Sequence, residues 1–313
     1  MILTVTMNAS VDITYILSEF QLGQTNRVAT IEKTAGGKGL NVSRVLHQVK
    51  GQVCASGMLG GTTGEFIQNS LTEQGLEQHF YQIQQESRNN ISIISGAEQT
   101  EILEAGPTVS EEEQQQFVAL FKTLLGQVDT VVLSGSLPAG MKPSFYSWLV
   151  ACAQEQGKQV LLDTSGAALK ESIEAPIKPT LIKPNEHELA DLLGTTIDPD
   201  NLPDLKEKLA APIFQRIPWL VVSLGAAGAI IKQGEEYYYA KVPKIQAVNA
   251  IGSGDSVIAG LALGLDLQEE PTAIIKRGMA YGVLNALEER PGYLKLAKLS
   301  EIIAQIEVSK IYS

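Results

Sequence analysis

Short runs of β-branched and aliphatic residues alternate with longer amphipathic stretches along most of the chain. Residues 2–6 (ILTVT) predict a buried strand that ends at Asn8. A second strand is predicted over 28–33, a glycine loop over 36–39 and a helix over 40–49. Residues 53–58 predict a strand broken by Gly60 and Gly61, and 64–74 a helix closed by Gly75. From 107 onward the alternation is regular. Ser110 caps a helix whose first turn, Glu111 to Glu113, is acidic. Strands at 130–133, 159–163 and 180–182 lead into helices at 143–156, 167–173 and 186–193. A strand at 220–223 leads through a glycine turn (225–228) to a hairpin through Gly234 and Glu235. Helices at 254–265 and 272–287 follow. Strands alternating with helices of this length make βαβ units and a mostly parallel sheet.

Two segments, 12–33 and 79–104, break that rhythm. Both are β-rich, and the second holds a hairpin of 91–94 and 98–103 around Gly96. They predict a small appended sheet. Ligands bind at the carboxyl ends of the strands in an open α/β sheet, so extra strands there would form a lid that excludes water. With no internal repeat and no low-complexity linker, the expectation is one domain spanning 1–313.

Composition narrows the function. The 313 residues are 44% hydrophobic and 19% charged, enough for a full core. A net charge of −11 leaves no basic field for nucleic acid, so an anionic ligand needs a local cluster of Lys, Arg and backbone N–H groups. Cys54 and Cys152 lie in no metal-ligand spacing and are expected as buried thiols, which suits a reducing cytosol. The opening MILTVTMNAS has no positive n-region and no long apolar segment, so no signal peptide is expected there, and no apolar run approaches the roughly 20 residues that span a bilayer. A soluble cytoplasmic protein without membrane partners is expected.

Five stretches carry candidate chemistry. In NAIGSGDSVIAG (249–260), Gly252, Ser253 and Gly254 precede Asp255 at the mouth of a helix. Glycines there expose N–H groups, and the helix dipole favours an anion such as a phosphoryl group. Asp255 is either the base for a hydroxyl attacking phosphorus or an ordinary N-cap. TAGGKGLNV (34–42) puts Gly37 and the mobile charge of Lys38 in a loop before Asn41, either to hold a ligand, with Asn41 on a sugar hydroxyl, or as a flexible hairpin end with a solvated lysine; it is neither a P-loop nor a G-x-G-x-x-G fingerprint. In KPNEHE (183–188), Asn185 and Glu188 stand one turn apart, either ordering water around Mg²⁺ or capping a helix. SLGAAG (223–228) ends a strand where a nucleotide can rest, or is a tight turn. Asp12, Arg27 and Arg88, in the extra strands, offer a grip on sugar hydroxyls and a phosphate clamp, or are solvated charges. His47, His79 and His187 share no ligand spacing and read as structural or surface residues.

In order and combination these stretches resemble the ribokinase-like (PfkB) carbohydrate kinases over essentially the whole chain. GGKGLN (36–41) and AIGSGDSVIAG (250–260) are similar to the two family signatures, and KPNEHE to the element between them. SGSLPAG (134–140) and VVSLGAAGA (221–229) are similar to two further family stretches. The resemblance implies a three-layer α/β fold, a mostly parallel sheet flanked by helices with a β-sheet lid, and a homodimer through that lid. It implies ATP and Mg²⁺, with a monovalent cation such as K⁺ near Asn249 and Ile251. Carried over residue by residue, Asp255 is the base, and the N–H groups of Gly252, Ser253 and Gly254 form the anion hole. Asp12, Gly37 and Asn41 hold the sugar. Ser136 is a further substrate-binding candidate, and the clamp expected for the sugar's phosphate is Arg27, Lys38 and Arg88. Lys183, Asn185 and Glu188 serve the ATP phosphates and Mg²⁺, and Ser223, Gly225 and Gly228 line the nucleotide pocket.

Within the family, MNASVD and GGKGLNVSRVL look like the phosphosugar branch, and QTEILEAGP (99–107) and GSGDS look most like its tagatose-6-phosphate kinases. Ala9 departs from the proline of many relatives. The implied reaction is ATP-dependent phosphorylation of a ketohexose phosphate: D-tagatose 6-phosphate at its 1-hydroxyl, with fructose 1-phosphate at its 6-hydroxyl as the alternative. Two other classes compete. A nicotinamide-dependent oxidoreductase needs a glycine fingerprint after the first strand, where this chain has MNASVD. A sugar-phosphate sensor on the same fold should have lost the base or the anion hole.

Overall fold

The computed structural model describes residues 1–96 and 98–311. The chain begins with β1 (Ile2–Thr6), β2 (Ser10–Leu17), β3 (Thr30–Gly36), α1 (Lys38–Gln48), β4 (Val53–Gly60), α2 (Gly61–Glu73) and β5 (Glu77–Ile83). It continues through β6 (Arg88–Ser95), β7 (Glu98–Leu103), α3 (Glu111–Leu125), β8 (Thr130–Ser134), α4 (Phe145–Gln154), β9 (Gln159–Asp163) and α5 (Gly166–Glu174). Next come β10 (Leu181–Ile182), α6 (Glu186–Leu193), α7 (Leu202–Leu209), β11 (Trp219–Ser223), β12 (Ala229–Gln233) and β13 (Glu236–Lys241). The last elements are α8 (Ser253–Asp266), α9 (Pro271–Ala286), α10 (Leu299–Gln305) and β14 (Glu307–Lys310).

Among the described residues, ten strands form one sheet in the order β14-β13-β12-β11-β10-β9-β8-β1-β4-β5. From β11 to β5 every pair is parallel; β12, β13 and β14 add an antiparallel edge. Successive side chains of a strand point to opposite faces, and the two halves of the core follow that period. Ile2 and Val132 pack under α1, α2, α8, α9 and α10, whereas Leu3, Val5, Val131 and Leu133 pack under α3 to α7. Burial on both faces explains the nearly continuous apolar runs of these strands. The small-residue run after Asp255 serves helix packing: a Cβ on Gly260 would lie 2.7 Å from Gly278 Cα, so α8 and α9 pack backbone against backbone there.

A separate four-stranded sheet has the order β3-β2-β6-β7. The segment 79–104 is therefore divided. Residues 88–95 and 98–103 join the small sheet, but β5 pairs in parallel with β4 at the edge of the large one. Its polar alternation, EQHFYQI, belongs to a half-exposed edge strand, which a sequence pattern does not distinguish from a lid strand. The strand expected at 28–33 is shifted to Thr30–Gly36, and α7, α10 and β14 were not anticipated. No helix among the described residues is long and apolar enough to cross a membrane.

Candidate active site

Gly252 is the N-cap of α8, at φ 80°, the left-handed backbone that glycine takes freely. A Cβ there would meet Pro291 Cβ at 2.8 Å. Asp255 is thus the third residue of the helix. Its carboxylate makes no cap bond and instead accepts from Asn41 Nδ2 at 2.8 Å. Only 7% exposed, it has its pKa pushed up to about 6 by burial and by the like charge of Asp163. The Asn41 hydrogen bond and the charges of Lys38 and Lys183 act in the opposite direction. Among the described residues, the N–H groups of Gly252, Gly254 and Asp255 donate to no protein acceptor, whereas Ser253 N–H donates to Ala250 O at 3.2 Å. The free donors at the mouth therefore include Asp255 and leave out Ser253.

Two lysines face this mouth, and a buried carboxylate stands between them. Asp163, at the carboxyl end of β9 and 2% exposed, lies 3.7 Å from Lys38 Nζ and 3.5 Å from Lys183 Nζ. Lys38 opens α1, and Asp163, then Asp255 and Glu188, raise its pKa against burial. Lys183 follows β10 directly, and a Cβ on Gly254 would lie 3.3 Å from its Nζ. The missing side chain leaves the ammonium open to the helix mouth. Asp163 Oδ1 accepts no well-aligned hydrogen bond, so Lys183 is held there by charge with its N–H groups free to turn.

The small sheet brings in the sugar-side candidates. Asp12 Oδ1 accepts from Ser10 Oγ at 2.7 Å and from Asn90 Nδ2 at 3.1 Å. A Cβ on Gly36 would fall 2.1 Å from Asp12 Cγ, so the glycine beside Gly37 is what admits this carboxylate. Burial raises the Asp12 pKa; the Ser10 and Asn90 hydrogen bonds oppose it, as do the charges of Arg88 and Arg44. Arg88 donates to Asn8 O at 3.2 Å and Glu104 O at 3.1 Å, and Asn8 Nδ2 reaches Ser136 Oγ at 3.3 Å. Gly37, at φ 118°, is the N-cap of α1. Arg27 stays apart, exposed on the loop between β2 and β3 with no hydrogen bond or ion pair among the described residues.

The other candidates converge at the ends of β10 and β11. Asn185 caps α6 in a reciprocal box: Glu188 N–H donates to Asn185 Oδ1 at 2.8 Å, and Asn185 N–H to Glu188 Oε2 at 2.9 Å. The capping alternative is thus realised for this pair, and Glu188 Oε1 is left outside the box. A hard oxygen donor beside Lys38, at the mouth of an anion site, fits a water-mediated contact to Mg²⁺. Ser223 N–H donates to Pro184 O at 3.1 Å, which staples the two loops together. Gly225 has φ 55°. Gly228, at φ 100°, lies so close to β13 that a Cβ would be 2.0 Å from Ala240 O. Near the expected cation position, Asn249 Oδ1 accepts from Ile251 N–H at 2.9 Å and its Nδ2 donates to Glu289 O at 2.8 Å.

Sequence reasoning missed Asp163 and Arg44. An aspartate closing a central strand was the available signal for Asp163. Arg44 lay inside the GGKGLNVSRVL stretch but had no distinguishing pattern. The cysteines depart partly from expectation: Cys54 is buried and Cys152 half-exposed. Cys54, Glu77 and His79 place one ligand atom each within 4.8 Å of one another, a grouping made by the β4–β5 register and invisible in linear spacing. Burial pushes the Cys54 thiol up to about 12, which works against the thiolate a metal requires.

Comparison with known proteins places this geometry among relatives. Residues 5–295 match the family described as pfkB family carbohydrate kinase. The chain is 44% identical to a tagatose-6-phosphate kinase of Staphylococcus epidermidis, over 99% of this chain and 100% of that protein. Phosphofructokinase-2 from Escherichia coli in complex with potassium superposes with a TM-score of 0.88 at 25% identity, covering 97% of this chain and 98% of the other. A possible 1-phosphofructokinase from Thermotoga maritima superposes with a TM-score of 0.85 at 26% identity, covering 99% of each chain.

Proposed function

The chain belongs to the pfkB family of carbohydrate kinases, and on that premise we propose that it transfers the terminal phosphoryl group of ATP to the 1-hydroxyl of D-tagatose 6-phosphate. The observation that carries the reading is the mouth of α8. There a buried carboxylate with a pKa near 6 sits beside unpartnered backbone N–H groups and a lysine with free donors. Asp255 is the base that takes the proton from the attacking hydroxyl. The N–H groups of Gly252, Gly254 and Asp255, with Lys183, offset charge developing on the transferred group. Asp163 keeps that lysine in place, and Lys38, paired with the same carboxylate, helps to balance the charge of the mouth. Mg²⁺, held through water by Glu188, neutralises charge on the ATP phosphates when bound. Asp12 and Asn41 face the sugar hydroxyls, and Arg88 with Ser136 the sugar phosphate. Ser223, Gly225 and Gly228 bound the nucleotide, and K⁺ beside Asn249 and Ile251 belongs to the same proposal.

The choice of sugar rests on the 44% identical relative and on QTEILEAGP. The second reading, phosphorylation of fructose 1-phosphate, is favoured by the likeness to the possible 1-phosphofructokinase. A homodimer through the small sheet is supported by its exposed apolar side chains, Ile16, Ile31, Ile102 and Leu103. The base assignment is tested by Asp255→Asn. Turnover is expected to fall by roughly 10³-fold with the KM for sugar phosphate within about threefold. Turnover near that of the unaltered enzyme would remove Asp255 from the chemistry.

A further inference from the structure

Arg44 is 4% exposed, yet among the described residues no carboxylate forms an ion pair with it. A buried guanidinium with no carboxylate in contact is costly and rarely kept for packing alone, and Asp12 and Asp255 act on this one only through space. Its hydrogen bonds all go to neutral oxygens on four separate parts of the molecule. NH1 donates to Asn41 Oδ1 at 2.9 Å, one helical turn back on α1, and to Pro291 O at 3.4 Å. NH2 donates to Ala35 O at 2.6 Å, at the end of lid strand β3, and Nε to Gln74 Oε1 at 3.3 Å. Its guanidinium lies 5.3 Å from the Tyr293 ring centroid. The Pro291–Gly292 turn closes over it: a Cβ on Gly292 would lie 2.8 Å from Arg44 NH1 and 3.0 Å from Asn41 Oδ1.

The bond to Asn41 has a consequence for Asp255. A guanidinium donates and cannot accept, so it holds the Asn41 amide with its oxygen toward Arg44. The NH₂ end is then turned to Asp255 Oδ2, at 2.8 Å. Were the amide reversed, its oxygen would face a carboxylate and repel it. We propose that Arg44 is a positioning residue that fixes the Asn41 amide so that Asn41 donates to Asp255, holding the base ionised and aimed while tying it to the root of the lid. The proposal rests on the reading of Asp255 as the base. The other charges facing Asp255 are Lys38 on α1, Asp163 at the end of β9 and Lys183 after β10. None of them touches the Asn41 amide through a hydrogen bond.

The test is the pH dependence of kcat/KM for sugar-phosphate phosphorylation in Arg44→Met and Arg44→Lys, beside the unaltered enzyme and Asp255→Asn. Arg44→Met should lower kcat by about 10- to 100-fold, leave the sugar-phosphate KM within about threefold, and move the acid limb up by about one pH unit. Arg44→Lys keeps the charge, but its three N–H donors sit on a single nitrogen that cannot reach Asn41 and Ala35 together. It should recover most of kcat with a smaller shift of the same sign. A folded Arg44→Met with an unaltered acid limb and kcat would overturn the proposal. If Arg44→Met does not fold, an unaltered acid limb in Arg44→Lys overturns it equally. Failure of the underlying reading looks different: Asp255→Asn would stay active and the unaltered enzyme would show no acid limb near pH 6.

Discussion

With Asp255 as the proposed base, pH should move activity and stability in opposite directions. Its folded pKa of about 6 stands above the ordinary 3.8, so the native chain holds an extra proton between those values. That contribution to stability is present below pH 4 and is lost as pH rises through 6. As the proposed base Asp255 must be ionised, so kcat/KM should fall tenfold per unit as pH drops below about 6, which a pH–rate profile checks. Asp255→Asn removes the charge that burial penalises. Its thermal midpoint should exceed that of the unaltered protein by about 2–5 °C at pH 8, with the gap closing toward pH 4, as read by calorimetry. The sequence marked Asp255 but left base and cap in competition. Only the position of Asn41, 214 residues away in the chain, shows that the carboxylate turns away from its own helix. Asp163 and Arg44 were less legible, because their roles consist of contacts with residues distant in sequence.

At the scale of elements, the termini of α1, α6 and α8 and the ends of β9 and β10 build the site between them. Strands buried on both faces and the capping signals made these elements readable, and α6 falls where the pattern of 186–193 put it. The edges were not readable, because edge strands such as β5 and β14 carry polar alternation on half-exposed faces. Glu188 serves α6 through its capping box and, in the proposed function, Mg²⁺ through its free oxygen. The two roles separate in Glu188→Gln, since glutamine also completes a capping box. The thermal midpoint should then stay within about 2 °C, while the Mg²⁺ concentration for half-maximal activity rises by about tenfold or more. Loss of stability with an unchanged Mg²⁺ requirement would leave Glu188 as a cap alone.

At the scale of the whole molecule, a mostly parallel sheet presents the helix mouths and a separate sheet carries Asp12 and Arg88. That division was visible in the broken rhythm of 12–33 and 79–104, though not the assignment of β5. If the small sheet is also the dimer interface, Ile102→Glu with Leu103→Glu should convert the protein to monomer in sedimentation equilibrium. Which phosphosugar the protein prefers is a property of the whole proposed site. It is tested most directly by steady-state kcat/KM on D-tagatose 6-phosphate, fructose 1-phosphate and fructose 6-phosphate with ATP and Mg²⁺ held saturating. The account predicts the highest value for D-tagatose 6-phosphate, by about tenfold or more over fructose 1-phosphate. A clear preference for fructose 1-phosphate would contradict it.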